Sequence, residues 1–282
     1  MAGQTYLNAY EILSQVRYDI NEYSTAYMQA TDTSGAFQNA QLMTKINQAQ
    51  RIIFNFLFSQ VPELFLTSAS LTFASSISTL PSDFYRFKRL ENSDGVKISP
   101  IGVDEKHVYD DAGSSFLYYR YGNTLRLDKD GESGTYTLWY YTRPRELDQG
   151  TTAAGGAATA TLATTAKKIA DYYNNMMIED ITGDATDTIS DYSAARVCTV
   201  TNTWAASRYY GIITEMPESF AHLIQPRATI LCKGLPQSPE KPLKTELMDF
   251  SEMIRTTLIG YAGTSFTDVS YEDIINDFQP YF

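Results

Sequence analysis

The amino-acid sequence predicts an α+β fold, with helical hairpins at both ends around a small antiparallel β-meander and a β-module inserted behind the meander. Three observations carry that prediction. Apolar residues recur every three or four positions near both ends of the chain, short aromatic and β-branched runs alternate between them, and composition turns abruptly to Thr, Ala and Gly after Gly150. The domain division that follows is a helical core with the meander over 1–149 and 214–261, an inserted β-module over 150–213, and an extended docking tail over 262–282.

Residues 5–28 place Tyr6, Tyr10, Leu13, Val16, Ile20, Tyr23 and Tyr27 on one helical stripe, with Thr5 as N-cap. Residues 31–35 are polar and turn-like. A second helix over 36–60 has Leu42, Ile46, Ala49, Ile53 and Phe56 on one face, widened by Ile52, Phe54, Leu57 and Phe58. A helix apolar on most sides near its end is buried on most sides, and the two helices are expected to pair as an antiparallel hairpin. Val61-Pro62 stops the second helix. Residues 66–80 form a Ser/Thr-rich extended segment, and Leu80-Pro81-Ser82-Asp83 turns into a strand over 84–91. A turn at 92–95 leads back through 96–101 to a short helix at 104–110.

The meander, over 115–147, comprises strands at 118–121, 124–128 and 135–142, rich in Tyr, Leu and Thr. Gly122-Asn123 makes the first turn, and Asp130-Gly131 with Gly134 the second, because these residues accept the positive φ of tight hairpins. Arg143-Pro144 ends it, since proline lacks a ladder donor.

Residues 151–166 are almost wholly Thr, Ala and Gly and read as a loose lead-in or an edge strand. β-like segments follow at 172–181, 188–192, 196–203 and 209–213. Pro217-Glu218 opens a helix with Phe220, Leu223, Ile224, Ala228, Ile230 and Leu231 on its apolar face and a kink expected at Pro226. The last long helix begins at Ser238-Pro239-Glu240 and carries Leu243, Leu247, Phe250, Ile254, Leu258 and Tyr261. The tail beyond it contains no Lys or Arg, but has four acidic residues and five aromatic ones. Such a segment gains most by docking into a groove on its own core or on another chain. Phe266, Tyr271, Ile274, Ile275, Phe278, Tyr281 and Phe282 are its candidate anchor residues.

Composition excludes several function classes. The net charge of −11 argues against a protein whose main task is gripping phosphate backbones. Tyrosine is abundant, with 21 copies, which suits either surfaces that become buried against partners or a Tyr-rich sheet. Cys198 and Cys232 match no metal or redox spacing and read as buried thiols in a reducing compartment. No basic segment followed by an apolar one opens the chain, and no apolar run reaches about 18 residues. Neither secretion nor a membrane span is therefore expected.

The chemistry-bearing residues form no catalytic set. His107 and His222 stand on separate helices with no nucleophile or carboxylate at a useful spacing. Asp128-Lys129-Asp130-Gly131-Glu132 lacks the ligand spacing of a calcium loop and reads as a hairpin turn. Arg86, Lys88 and Arg89, interleaved with Phe84, Tyr85 and Phe87, suit either a nucleic-acid platform or a sheet with one packed and one solvated face. No catalytic residue, metal or cofactor is expected.

Leu80-Pro81-Ser82-Asp83-Phe84, Tyr121-Gly122-Asn123-Thr124-Leu125-Arg126-Leu127 and Gly134-Thr135-Tyr136-Thr137-Leu138-Trp139-Tyr140-Tyr141-Thr142-Arg143-Pro144 together resemble the head-to-tail adaptor, or head completion, proteins of tailed bacteriophages. Residues 171–179 and 195–204 are similar to small β-modules of phage virion proteins, though the turn at 183–188 is poorer in glycine. The resemblance covers most of 1–261 and consists of structural patterns. It implies a virion protein at the head-tail junction, made in the host cytoplasm and assembled as a ring of twelve copies. Its partners would be the portal protein on one side and tail or nozzle proteins on the other, with DNA passing through without specific binding and no membrane involved. The C-terminal segment would reach the portal, and β-loops would face the tail. The alternative is a tail or receptor-facing virion protein whose inserted module binds a host glycan. An enzyme acting on cell-wall polymer is a third class, for which no convincing carboxylate pair is present.

Overall fold

The computed structural model describes residues 7–22, 37–105, 117–128, 131–236, 238 and 244–262. The chain divides into two compact units, one over 58–143 and the other formed by 1–57 with 144–282.

The first unit is a seven-stranded sheet. Its strands are β1 (Leu66–Phe73), β2 (Ile77–Thr79), β3 (Phe84–Glu91), β4 (Lys97–Pro100), β5 (Leu117–Tyr121), β6 (Thr124–Leu127) and β7 (Gly134–Thr142). Their order is β1-β7-β3-β4-β5-β6-β2, with β4 and β5 parallel and the other neighbours antiparallel. The sheet nearly closes on itself, because its two end strands are joined by a two-residue turn and a bridge between Ala74 and Ile77. Ser75 and Ser76 hold that turn at φ of 49° and 68°, a left-handed conformation costly for residues with a Cβ. Bonds from outside the turn offset the cost. Ser76 N donates to Glu132 O at 2.7 Å, its hydroxyl accepts from Glu132 N, and its carbonyl accepts from Leu127 N.

Alternation fills the interior of this sheet. Tyr136, Leu138 and Tyr140 of β7, Leu71 and Phe73 of β1, and Leu125 and Leu127 of β6 point into one core with Leu90, Ile98 and Tyr118. Phe73 meets Tyr136 edge-on at 4.9 Å, and Phe84 stacks on Tyr140 at 5.8 Å.

The second unit holds two four-stranded antiparallel sheets and the helices. The strands are β8 (Gln149–Thr151), β9 (Ala154–Gly155), β10 (Thr159–Thr161), β11 (Met177–Asp180), β12 (Ala185–Thr188), β13 (Asp191–Tyr192), β14 (Val197–Thr199) and β15 (Tyr209–Ile212). They run in the orders β13-β14-β10-β9 and β12-β11-β15-β8. The helices are α1 (Ala9–Asp19), α2 (Asn39–Gln60, belonging to this unit through Leu57), α3 (Glu218–Ala221), α4 (Ile224–Lys233) and α5 (Lys244–Ala262).

The predicted α+β arrangement is therefore corrected: the fold is mostly β, with a nearly closed seven-stranded mixed sheet and two further sheets in place of helical hairpins around a small meander. Two physical reasons account for the difference. The β5-β6 hairpin forms at Gly122 as expected, but β7 leaves it. Its nine residues pair instead with the eight-residue strands β1 and β3, which satisfy far more backbone than four-residue β6 could. At the other end, α1 packs on α4 and β15, which helical periodicity cannot foresee. Asn8 caps α1 through Glu11 N, and Gly211 of β15 leaves room for it: a Cβ there would come within 2.6 Å of Asn8 Oδ1. Asp19 at the far end accepts from Gln225 and from Thr229 Oγ1 of α4.

Other local expectations changed for similar reasons. The helix with Pro226 breaks at His222-Leu223, upstream of the proline, leaving Pro226 in the first turn of α4, where no backbone donor is needed. Of the two readings of the Thr/Ala/Gly lead-in, the edge strand holds for part of it: β9 ends its sheet, next to β10, whose Ala160 is fully buried. Residues 172–175 are turn rather than strand. Tyr6, Tyr23, Tyr27, the turn at 31–35, most of the 104–110 helix, and Pro239 and Glu240 at the start expected for the last helix lie outside the described residues.

Candidate functional site

The second unit contains a cavity of about 330 Å³ built on α2 and the extended segment that precedes β8. The segment is held by amide side chains of α2 in place of a neighbouring strand. Asn47 Nδ2 donates to Leu147 O at 3.0 Å while its Oδ1 accepts from Leu147 N at 2.7 Å, and Gln50 Nε2 donates to Arg145 O at 2.8 Å. An amide offers one acceptor and two donors, so it can satisfy a backbone that has no ladder partner.

Arg145 anchors the segment from the other side. Its guanidinium donates to the Tyr172 and Asn174 carbonyls at 2.9 and 2.8 Å and forks onto Glu215, with Nη2 at 2.5 Å from Oε1. The side chain is 6% exposed. A guanidinium so deep is tolerated because each contact is charge-assisted and planar.

With the segment fixed, Glu146, Leu147, Asp148 and Gln149 line the cavity together with Asn39, Met43, Thr44 and Arg51 of α2 and with Thr165, Lys167 and Tyr173. Glu146 stands at the rim between Lys167 at 2.6 Å and Arg51 at 3.7 Å, and all three side chains are open to solvent. Asp148 lies deep. Tyr210 Oη donates to its Oδ2 at 2.5 Å, and Thr165 and the Gln149 N–H bond it as well. Burial pushes its carboxyl up to about 6, against the pull of those bonds and of Arg196. Tyr210 and Tyr173 are themselves pushed upward, first by burial and then by the Asp148 charge, and Tyr192 by burial, then by Cys198 and Asp148, so all three stay neutral hydroxyls.

The cysteines are buried and unbridged, and burial holds both thiols near 12, far from reactive thiolates. His222, exposed between α3 and α4, is shifted down by partial desolvation. On β3, Lys88 Nζ donates to Glu63 at 3.0 Å and to the Tyr141 hydroxyl at 2.8 Å, while Arg89 pairs with Glu91 and lies 4.8 Å over Trp139. Leu90 of the same strand is fully buried, so β3 has one packed and one solvated face. Within 58–143, nine Lys and Arg stand against eleven Asp and Glu, so most of the acidic excess belongs to the rest of the chain. Among the described residues no group of three His, Cys, Asp or Glu could hold a metal ion, and no helix is long and apolar enough to cross a membrane.

The anchor residues Phe266, Tyr271, Ile274, Ile275, Phe278, Tyr281 and Phe282, like His107, lie outside the described residues. The cavity was missed in sequence. Arg145-Glu146-Leu147-Asp148-Gln149, a dense polar run directly behind an apolar strand, was its only trace, and burial of a polar run is a tertiary property.

The family model of the SU10 adaptor protein matches residues 7–166, more than half of the 282-residue chain. The chain belongs to that family, the bacteriophage adaptor class its sequence resembles. The match takes in every strand of the first unit and ends behind β10; 167–282 lie beyond it. A comparison with individual curated proteins finds no match.

Proposed function

We propose that the protein is the head-to-tail adaptor of a tailed bacteriophage, a virion component that forms a ring of twelve copies between portal and tail and gives DNA a conduit. The observation that carries this reading is the family match over 7–166. The acidic balance supports the conduit, since like charge keeps DNA from adhering as it passes. Its work is multivalent adhesion: each subunit makes modest contacts, and ring closure multiplies them. The acidic, aromatic segment 262–282 docks on the portal through Phe266, Tyr271, Ile274, Ile275, Phe278, Tyr281 and Phe282, while β-loops face the tail proteins. Deleting 263–282 is expected to leave a folded subunit that no longer pulls down portal protein. Retained capture by the truncated chain would refute the assignment of the anchor.

A further inference from the structure

The eight residues of β1 pair with β7 on one side, and among the described residues no strand is bonded to the other side. β2 reaches β1 only at the closing bridge, where Ala74 and Ile77 exchange both backbone bonds, at 3.0 and 3.1 Å. Backbone groups alternate sides along a strand, so Ser68, Ser70 and Thr72 turn theirs the same way as Ala74, away from β7. Among the described residues no bond reaches those groups, and Ser68, Ser70 and Thr72 are exposed. Leu66 shares that side, with its N–H given to Glu63 O and its carbonyl open. The usual protections of an edge are missing. β1 and β7 contain no Asp, Glu, Lys, Arg or Pro, and their register runs unbroken from Leu66 to Phe73. The other end strands among the described residues, β2, β8, β9, β12 and β13, are protected by their length, two to four residues each.

We propose that β1 is a self-association edge whose partner is β1 of a second copy of this chain, running antiparallel about Ala69. Length favours that partner, since no other end strand among the described residues could match an eight-residue edge. Sequence favours it as well, because Leu66-Thr67-Ser68-Ala69-Ser70-Leu71-Thr72 is nearly symmetric about Ala69. In this register Ser68 exchanges both backbone bonds with Ser70 of the partner subunit, and Ser70 does the same with the partner's Ser68. Thr72 N donates to the carbonyl of Leu66 of the partner subunit. Side chains keep to their faces: Ser meets Ser on the outer row, while on the inner row Ala69 meets Ala69 of the partner subunit and Leu71 meets the partner's Thr67. No like charges face each other across the two-fold axis, because the strand carries none. Such a contact is self-complementary and closes on itself, so it cannot recur around a cyclic ring. It belongs to the free subunit before ring assembly, where it keeps the edge from pairing at random.

Analytical ultracentrifugation of the full chain over a range of micromolar concentrations tests the pairing. A reversible dimer is expected. Ser70→Pro removes a donor from the open edge and leaves the bonds to β7 in place; it should weaken the dimer at least about tenfold, since the lost bond occurs twice by symmetry. Mild oxidation reads the register. Ala69 meets its own copy in a non-hydrogen-bonded pair with Cα atoms about 4.5 Å apart, so Ala69→Cys should give a disulfide-linked dimer. Thr67→Cys should not, because its two copies lie about 13 Å apart. Cys198 and Cys232 are buried and do not compete. An unaltered chain that stays monomeric at every concentration would overturn the proposal without any variant having to fold. A dimer undiminished by Ser70→Pro, or Thr67→Cys cross-linking as readily as Ala69→Cys, would overturn it too. If the chain is monomeric alone and its β1 amides gain protection from hydrogen exchange only when portal protein is added, the edge belongs to the portal and the self-pairing is overturned.

Discussion

Replacing Asp148 by Asn should stabilise the protein at neutral pH and leave it unchanged in acid. Burial raises the carboxyl from the ordinary 3.8 to about 6. A raised acid binds its proton more tightly folded than unfolded, so its favourable contribution is complete below about pH 3.8. That contribution is lost as pH rises through 6, and above 6 the folded state carries the whole cost of the buried charge. About two pKa units correspond to roughly 3 kcal/mol. Asn keeps an acceptor for the Tyr210 hydroxyl and cannot ionise. Urea unfolding of both chains at pH 4 and pH 7.5 reads the effect, because other titrating groups cancel in the difference. The variant is expected to gain on the wild type by up to about 3 kcal/mol between the two pH values. A difference that stays constant with pH, or one that favours the wild type at pH 7.5, would refute the reasoning.

Two further substitutions test the scaffold around the cavity. Arg145→Met removes the guanidinium shared by Glu215 and two carbonyls, and should cost about 3–5 kcal/mol in urea unfolding because Glu215 and the carbonyls lose their donor. Gly155→Ala should destabilise by about 1–3 kcal/mol, read as a lower thermal midpoint, since a Cβ would press on the Trp204 carbonyl and lie 2.7 Å from Ala205 N.

Local order was legible wherever one face of one element decided it. The aromatic and basic run at β3, the Gly122-Asn123 turn and the Leu42, Ile46, Ala49, Ile53 stripe of α2 stand where periodicity and turn chemistry put them. Choice of partner was not legible. Tyr136, Leu138 and Tyr140 alternate as any half-buried strand does, and nothing in that alternation says that β7 pairs with β1, more than sixty residues upstream, rather than with adjacent β6. Ser75-Ser76, which brings the sheet's two ends together, carries neither Gly nor Asn and gives no turn signal; its conformation is imposed by Glu132 and Leu127. Nothing in the sequence marks Gln149 and Asp148 as interior, because polar residues usually lie at the surface, and only packing puts them inside.

The central claim is that this chain works by assembling on a portal. Native mass spectrometry of the full-length protein, alone and mixed with its portal protein, tests it most directly. The account predicts a complex carrying twelve copies on the portal, and a chain that stays monomeric and free of the portal in the mixture would contradict it.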